Sequence, residues 1–133
     1  MRVLARHSRD AGVPPLLTVA VGLVETGLRN MDVPGRPRHG WFQLRLEPPP
    51  YPSSERSPTV AEAHDLDYAA REFCTAAVHY ADRDPSLRRD LWRWAVKTQG
   101  VGGRLDRNPS YAPATFATYL YEAAGLLHEY DRV

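Results

Sequence analysis

The sequence is poor in several residue types, and each scarcity excludes something. Cys74 is the only cysteine, so the chain can form neither an internal disulfide nor a cysteine-based zinc cage. Lys97 is the only lysine; every other basic side chain is arginine, a skew that GC-rich codon usage produces. Charge of one sign is also missing. A formal net charge of +1 supplies no electrostatic pull on nucleic acid, which is not an expected partner. Long hydrophobic runs are absent. The longest, Val13 to Val24, is interrupted by Thr18 and Gly22 and is too short to cross a bilayer, so no membrane span is expected. The opening residues Met1 to Arg6 lack the apolar core and small-residue cleavage site of a signal peptide. The expectation is a chain that is cytosolic, exported by other means, or part of a larger protein. What remains is ordinary for a globular protein, with 43% hydrophobic and 25% charged residues. A length of 133 residues predicts one domain, residues 1–133.

Four segments carry helical periodicity, and none alternates as a strand. The first runs from about Val13 to Arg29, with Pro14 and Pro15 suited to a first helical turn. Apolar residues surround most of it, which predicts a central, buried helix. A short helix reaching back to Arg2 can precede it, broken at Gly12 and Pro14. From about Asn30 to His64 the chain holds Pro34, Pro37, Pro48, Pro49, Pro50, Pro52 and Pro58, a density that forbids a long helix or a central strand. A loop of this length in a compact domain is usually functional. One apolar island, Gly40-Trp41-Phe42-Gln43-Leu44, lies inside it and is the place for a small β element. A second helix is predicted over about Leu66 to Asp82, capped by Asp65 or Asp67. A third is predicted from Pro85 to Thr98, capped by Asp84 and ended by Gly100, Gly102 and Gly103. A fourth spans about Pro113 to Tyr130. The expected fold is mainly α with one long proline-rich loop.

Glu25 is the residue that asks for a reason. It sits near the C-terminal end of the most apolar helix, beside Val21, Leu23, Val24 and Leu28. Burial and the negative end of the helix dipole both disfavour its charged form, so both raise its pKa. A carboxyl held partly protonated near neutral pH is what a general acid requires. The bland alternative is a solvated glutamate on the wet side of the helix end.

The string Gly22-Leu23-Val24-Glu25-Thr26-Gly27-Leu28-Arg29-Asn30 is followed ten residues later by Gly40-Trp41-Phe42-Gln43. This order and spacing resembles the lysozyme-like superfamily, in particular the soluble lytic transglycosylase (SLT-type) and goose-type branch. In that resemblance Glu25 aligns with the catalytic acid, and Thr26 stands where serine is usual. Gly40 and Gln43 align with the glycine and glutamine of a second element that faces the acid. Trp41 is bulkier than the usual aliphatic residue, and His39 stands where a small polar residue is common. Weaker similarity extends through Asp67 to Phe73, Trp94 to Val101 with its glutamine-containing turn, and Tyr111 to Ala123. The tyrosine near the acid is to be sought among Tyr68, Tyr80, Tyr111 and Tyr119.

The resemblance implies a peptidoglycan-cleaving enzyme, a lytic transglycosylase or a muramidase. Its substrate is the β-1,4 bond between N-acetylmuramic acid and N-acetylglucosamine. Glu25 acts as general acid and then base, and no metal or cofactor is implied. A second carboxylate is not needed; Asp32, Glu47 and Glu55 read as solvated loop charges. Gln43 can hydrogen-bond a sugar or pin the loop, Trp41 and Phe42 can floor a sugar groove or anchor the loop, and Thr26 can orient the carboxylate or bond back to its own turn. Asn30 reads as the left-handed residue at the helix exit. The implied partners are a glycan strand and, with no leader sequence in view, virion or tail proteins. The place of action is then the cell wall or periplasmic space, reached through a virion, a holin or a parent protein. The alternatives are an inactive structural or interaction module of the same fold, and a helical regulatory module using the face from Arg88 to Trp94. The histidines His7, His39, His64, His79 and His128 are scattered without metal spacing, Cys74 reads as an inert buried thiol, and Gly100 to Gly103 follows a helix and so does not make a phosphate loop.

Overall fold

In the computed structural model, residues 1–101 and 108–131 are described. The chain is mainly α-helical, as its periodicity predicts. Helix α1 spans Arg2–Ala11 and closes on Gly12, whose φ of 78° lies in the left-handed region. Helix α2 spans Pro15–Thr26, opened by the proline pair. It is the innermost helix: Leu17, Val19, Ala20 and Val21 are fully buried. It packs against α6 (Pro113–Asp131) and α1, while α1 lies on α4 (Leu66–Arg83). Asp65, not Asp67, caps α4, its carboxylate accepting the Tyr68 N–H at 3.1 Å.

Three expectations need correction. The helix expected from Pro85 to Thr98 is two elements, a 3-10 helix over Pro85–Arg89 and helix α5 over Leu91–Thr98. Asp90 separates them. Its backbone is extended and its side chain accepts the Arg93 N–H at 3.1 Å, so it starts a helix instead of continuing one. The left-handed residues at the exit of α2 are Gly27 and Leu28, at φ 66° and 61°, not Asn30. The segment between α2 and α4 is not wholly irregular. It holds a two-stranded antiparallel hairpin, β1 (Arg38–His39) and β2 (Leu44–Arg45), and a short helix α3 (Val60–Ala63). Residues Gly40 to Gln43 form the connection of that hairpin, which places the small β element where the sequence suggested. Helix α3 begins with a capping box, Thr59 and Glu62 each accepting the other's backbone N–H. Gly100 ends α5 with a φ of 67°, and Gly102 and Gly103 lie outside the described residues.

The core places the expected aromatic residues and one unexpected one. Trp94 is fully buried and donates its indole N–H to the Ala77 carbonyl at 2.8 Å. Phe42 is buried against Phe73, the rings stacked with centroids 5.2 Å apart. Cys74 is buried beside Thr18, and burial pushes its thiol up, so it is inert.

Candidate active site

The last turn of α2 fixes where Glu25 points. Gly27 turns the chain out of the helix, its N–H returning to the Leu23 carbonyl at 2.9 Å and the Leu28 N–H to Gly22 at 3.2 Å. Leu28 folds back over Gly22, where a Cβ would stand 2.7 Å from the Leu28 Cδ2. Thr26 ties the helix end to the hairpin, its hydroxyl donating to the Trp41 carbonyl at 2.9 Å and accepting the Arg29 N–H at 3.1 Å. The carboxyl of Glu25 then faces a cleft of about 330 Å³. Arg36 and Arg38 line it from the loop and β1, Gln99 from the end of α5, and Tyr111 from the 3-10 turn Pro109–Tyr111. A second cleft of about 240 Å³ is bounded by Tyr51, Tyr80 and Arg45. The two share Arg38, Gln43, Gln99 and Gly100, so they adjoin at the hairpin and are together called the trough. Glu25 is the only carboxylate among the described residues that line it.

Burial raises the Glu25 pKa from 4.5 to about 7. Four groups oppose that rise: the charge of Arg38, the Gln99 side chain, the charge of Arg36 and the Tyr111 side chain. Gln99 is oriented by Tyr51, whose hydroxyl donates to Oε1 at 2.8 Å. The amide NH₂ is therefore the end of Gln99 that serves the carboxyl. Tyr111 is held by Trp92, which donates to its carbonyl at 2.8 Å, and by stacking on Phe116. Among the described residues its buried hydroxyl makes no hydrogen bond of ordinary length, yet it lies near enough to lower the Glu25 pKa. Burial raises both Tyr51 and Tyr111 well above 10, so both stay neutral hydroxyl donors. One neutral phenol, two guanidiniums and an amide thus border a carboxyl whose pKa burial raises to about 7, with the second phenol behind the amide. That arrangement can deliver a proton to a bound oxygen and take one back.

The sequence-predicted residues divide into two groups. Glu25 and Gln43 meet at the same cleft, and Tyr111 is the tyrosine beside the acid. Gln43 holds the loop: its amide donates to the Met31 and Gly40 carbonyls at 2.8 and 3.0 Å. Thr26, Gly40 and Trp41 line neither cleft. The Trp41 indole donates instead to the His64 carbonyl at 3.1 Å, and Gly40 packs against the backbone of α3, where a Cβ would stand 2.0 Å from the Ala63 oxygen. Phe42 borders the smaller cleft but is a core residue, 1% exposed. Trp41 and Phe42 are thus anchors of the hairpin, and the Thr26 hydroxyl is taken up by backbone. Sequence reasoning missed Arg36, Arg38, Tyr51 and Gln99. Only Gln99, in its conspicuous turn, carried a signal. It also missed a convergence of histidines: His39 and His64, 25 positions apart, both contact Asp32.

No family model matches the chain, nor does any curated protein or solved structure.

Proposed function

We propose that the protein cleaves the glycan strand of peptidoglycan, with Glu25 as the general acid and base. The observation that carries this reading is a carboxyl raised to about 7, alone among the described residues of a trough lined by hydroxyl, amide and guanidinium groups. The order of Glu25 and Gln43 in the chain, resembling that of lytic transglycosylases, supplies the substrate class.

The chemistry follows from one titrating group. Protonated Glu25 donates its proton to the glycosidic oxygen between N-acetylmuramic acid and N-acetylglucosamine as the bond to the anomeric carbon breaks. The substrate's N-acetyl oxygen shares the positive charge left on that carbon. Glu25, now a carboxylate steadied by Arg38 and the Gln99 amide, removes the proton of the sugar's 6-hydroxyl. That oxygen closes a 1,6-anhydro ring, and the acid form of Glu25 is restored. If water attacks in place of the 6-hydroxyl, the same cycle gives hydrolysis. Both routes need a pKa near the working pH, because one group gives and then recovers a proton. The proposed place of action is the wall or periplasmic space, with delivery by a virion, a holin or a parent protein.

The test is digestion of purified peptidoglycan by the wild type and by Glu25→Gln, with mass analysis of the fragments. Soluble muropeptides should form with the wild type and fall by about 10²- to 10⁴-fold in the variant. Anhydro ends identify a transglycosylase and reducing ends a hydrolase. Absence of any fragments with the wild type would favour a non-catalytic module of the same fold, and equal activity in the variant would reject Glu25.

A further inference from the structure

We propose that Asp32, His39 and His64 form a binding site for a divalent transition-metal ion, zinc the representative case, on the side of the hairpin away from the trough. The three residues come from three separate segments: the loop after α2, strand β1 and the C-terminal end of α3. Asp32 Oδ2 lies 3.0 Å from His39 Nδ1, and Oδ1 lies 2.9 Å from His64 Nε2. One ligand atom from each residue falls within 4.8 Å of the others. Donor atoms on a tetrahedral zinc ion stand about 3.3 Å apart, from bond lengths of about 2.0–2.1 Å. Side-chain shifts that close the spread of 4.8 Å by up to about 1.5 Å therefore admit the ion.

The surroundings hold the ligands in place. The Nδ1 of His64 lies 2.6 Å from the Asn30 side-chain oxygen, which accepts its N–H. That leaves Nε2 as the ligand atom, and an outer hydrogen bond of this kind is how metal-binding histidines are oriented. The Gly40 N–H donates to Asp32 Oδ1 at 3.2 Å. The Trp41 indole holds the backbone of His64, and the close approach of Gly40 to Ala63 seats α3 on the hairpin. The side chains of Asp32, His39 and His64 are 46%, 23% and 28% exposed, which leaves an entry path and room for a water ligand. Two imidazoles and one carboxylate suit zinc and its transition-metal neighbours over magnesium or calcium, which prefer oxygen. None of the three ligands lines the trough. Arg38 does, and His39 follows it on the opposite face of the strand. A bound ion braces the hairpin from behind and keeps Arg38 and Gln43 in position.

The test is calorimetric titration of the chelator-treated protein with Zn²⁺, alongside thermal unfolding with and without the ion. One ion per chain should bind and raise the melting temperature, and Mg²⁺ should do neither. Asp32→Asn and His64→Ala should each weaken binding at least tenfold, and Asn30→Ala about tenfold. Circular dichroism confirms that each variant folds, and the milder Asp32→Asn change retains an acceptor for Gly40. Absence of zinc binding to the wild type overturns the proposal, as does unchanged affinity in both ligand variants.

Discussion

The Tyr51 hydroxyl donates to Gln99 Oε1 at 2.8 Å, and this one contact decides which end of the Gln99 amide meets Glu25. A glutamine turned the other way would set an oxygen against a carboxylate. Because Tyr51 is buried and stays protonated, the orientation holds across the pH range in which Glu25 titrates.

Removing either partner should therefore raise the Glu25 pKa further. Gln99→Ala deletes the donor, and Tyr51→Phe frees the amide to rotate, so the first shift should be the larger. Tyr51→Phe should also cost about 1 kcal/mol of stability, the usual net worth of a buried hydrogen bond. Carboxyl titration by NMR and urea unfolding read the two effects separately.

The cationic side chains act in the same direction by charge. Arg38 lowers the Glu25 pKa more than Arg36 does. Arg38→Gln should move the titration upward by more than Arg36→Gln, and added salt should shrink the Arg36 effect first, since Arg36 is the more exposed of the two. A larger shift from Arg36→Gln would contradict the order.

Glu25 makes the protein's stability depend on pH, and the sign is fixed. Its folded pKa is raised, so the folded state prefers the protonated form. The resulting stability is complete below about pH 4.5 and is lost as pH rises to about 7. A shift of that size corresponds to about 3 kcal/mol. Glu25→Gln removes the dependence. At pH 8 the variant should be more stable than the wild type by up to about 3 kcal/mol, and the two should converge near pH 4. Denaturant unfolding across this range checks it; a constant difference would show that Glu25 does not titrate in that window.

Gly40 is the tightest point between the hairpin and α3. Its φ of 73° is left-handed, and a Cβ would stand 2.0 Å from the backbone oxygen and 2.7 Å from the carbonyl carbon of Ala63. Gly40→Ala should cost about 3 kcal/mol or more, combining the backbone and overpacking penalties. Gly35→Ala, left-handed too but with open space around it, is the control and should cost about 1–2 kcal/mol.

Much of the helical frame was legible in the chain because helix signals are local. Pro14 and Pro15 mark the start of α2, Asp65 the start of α4 and Pro113 the start of α6, all as the structure has them. The break at Asp90 was also local but hidden, since Leu87, Leu91 and Trp94 keep a helical spacing across it. The capping box of Thr59 and Glu62 is a local start signal for α3, but it went unread inside a stretch that its prolines made look structureless. Glu25 was legible because an acid in an apolar helix is conspicuous. Its companions were not. Tyr51 and Arg38 reach the trough only through the packing of a loop and a hairpin, and Gln99, though its turn was conspicuous, had nothing local to say that it faces the acid. The same holds for Asp32, His39 and His64. Trp41 and Phe42 misled for a related reason: an aromatic ring in a loop looks alike whether it faces sugar or core, and packing on Phe73 and His64 decides it.

The proposed chemistry requires Glu25 to change charge near neutral pH. Selective ¹³C labelling of glutamate, with the Glu25 carboxyl resonance assigned from the Glu25→Gln spectrum and followed against pH, measures it directly. A midpoint at about 7 is the expected result, whereas a midpoint near 4.5, that of an ordinary solvated glutamate, would contradict the account.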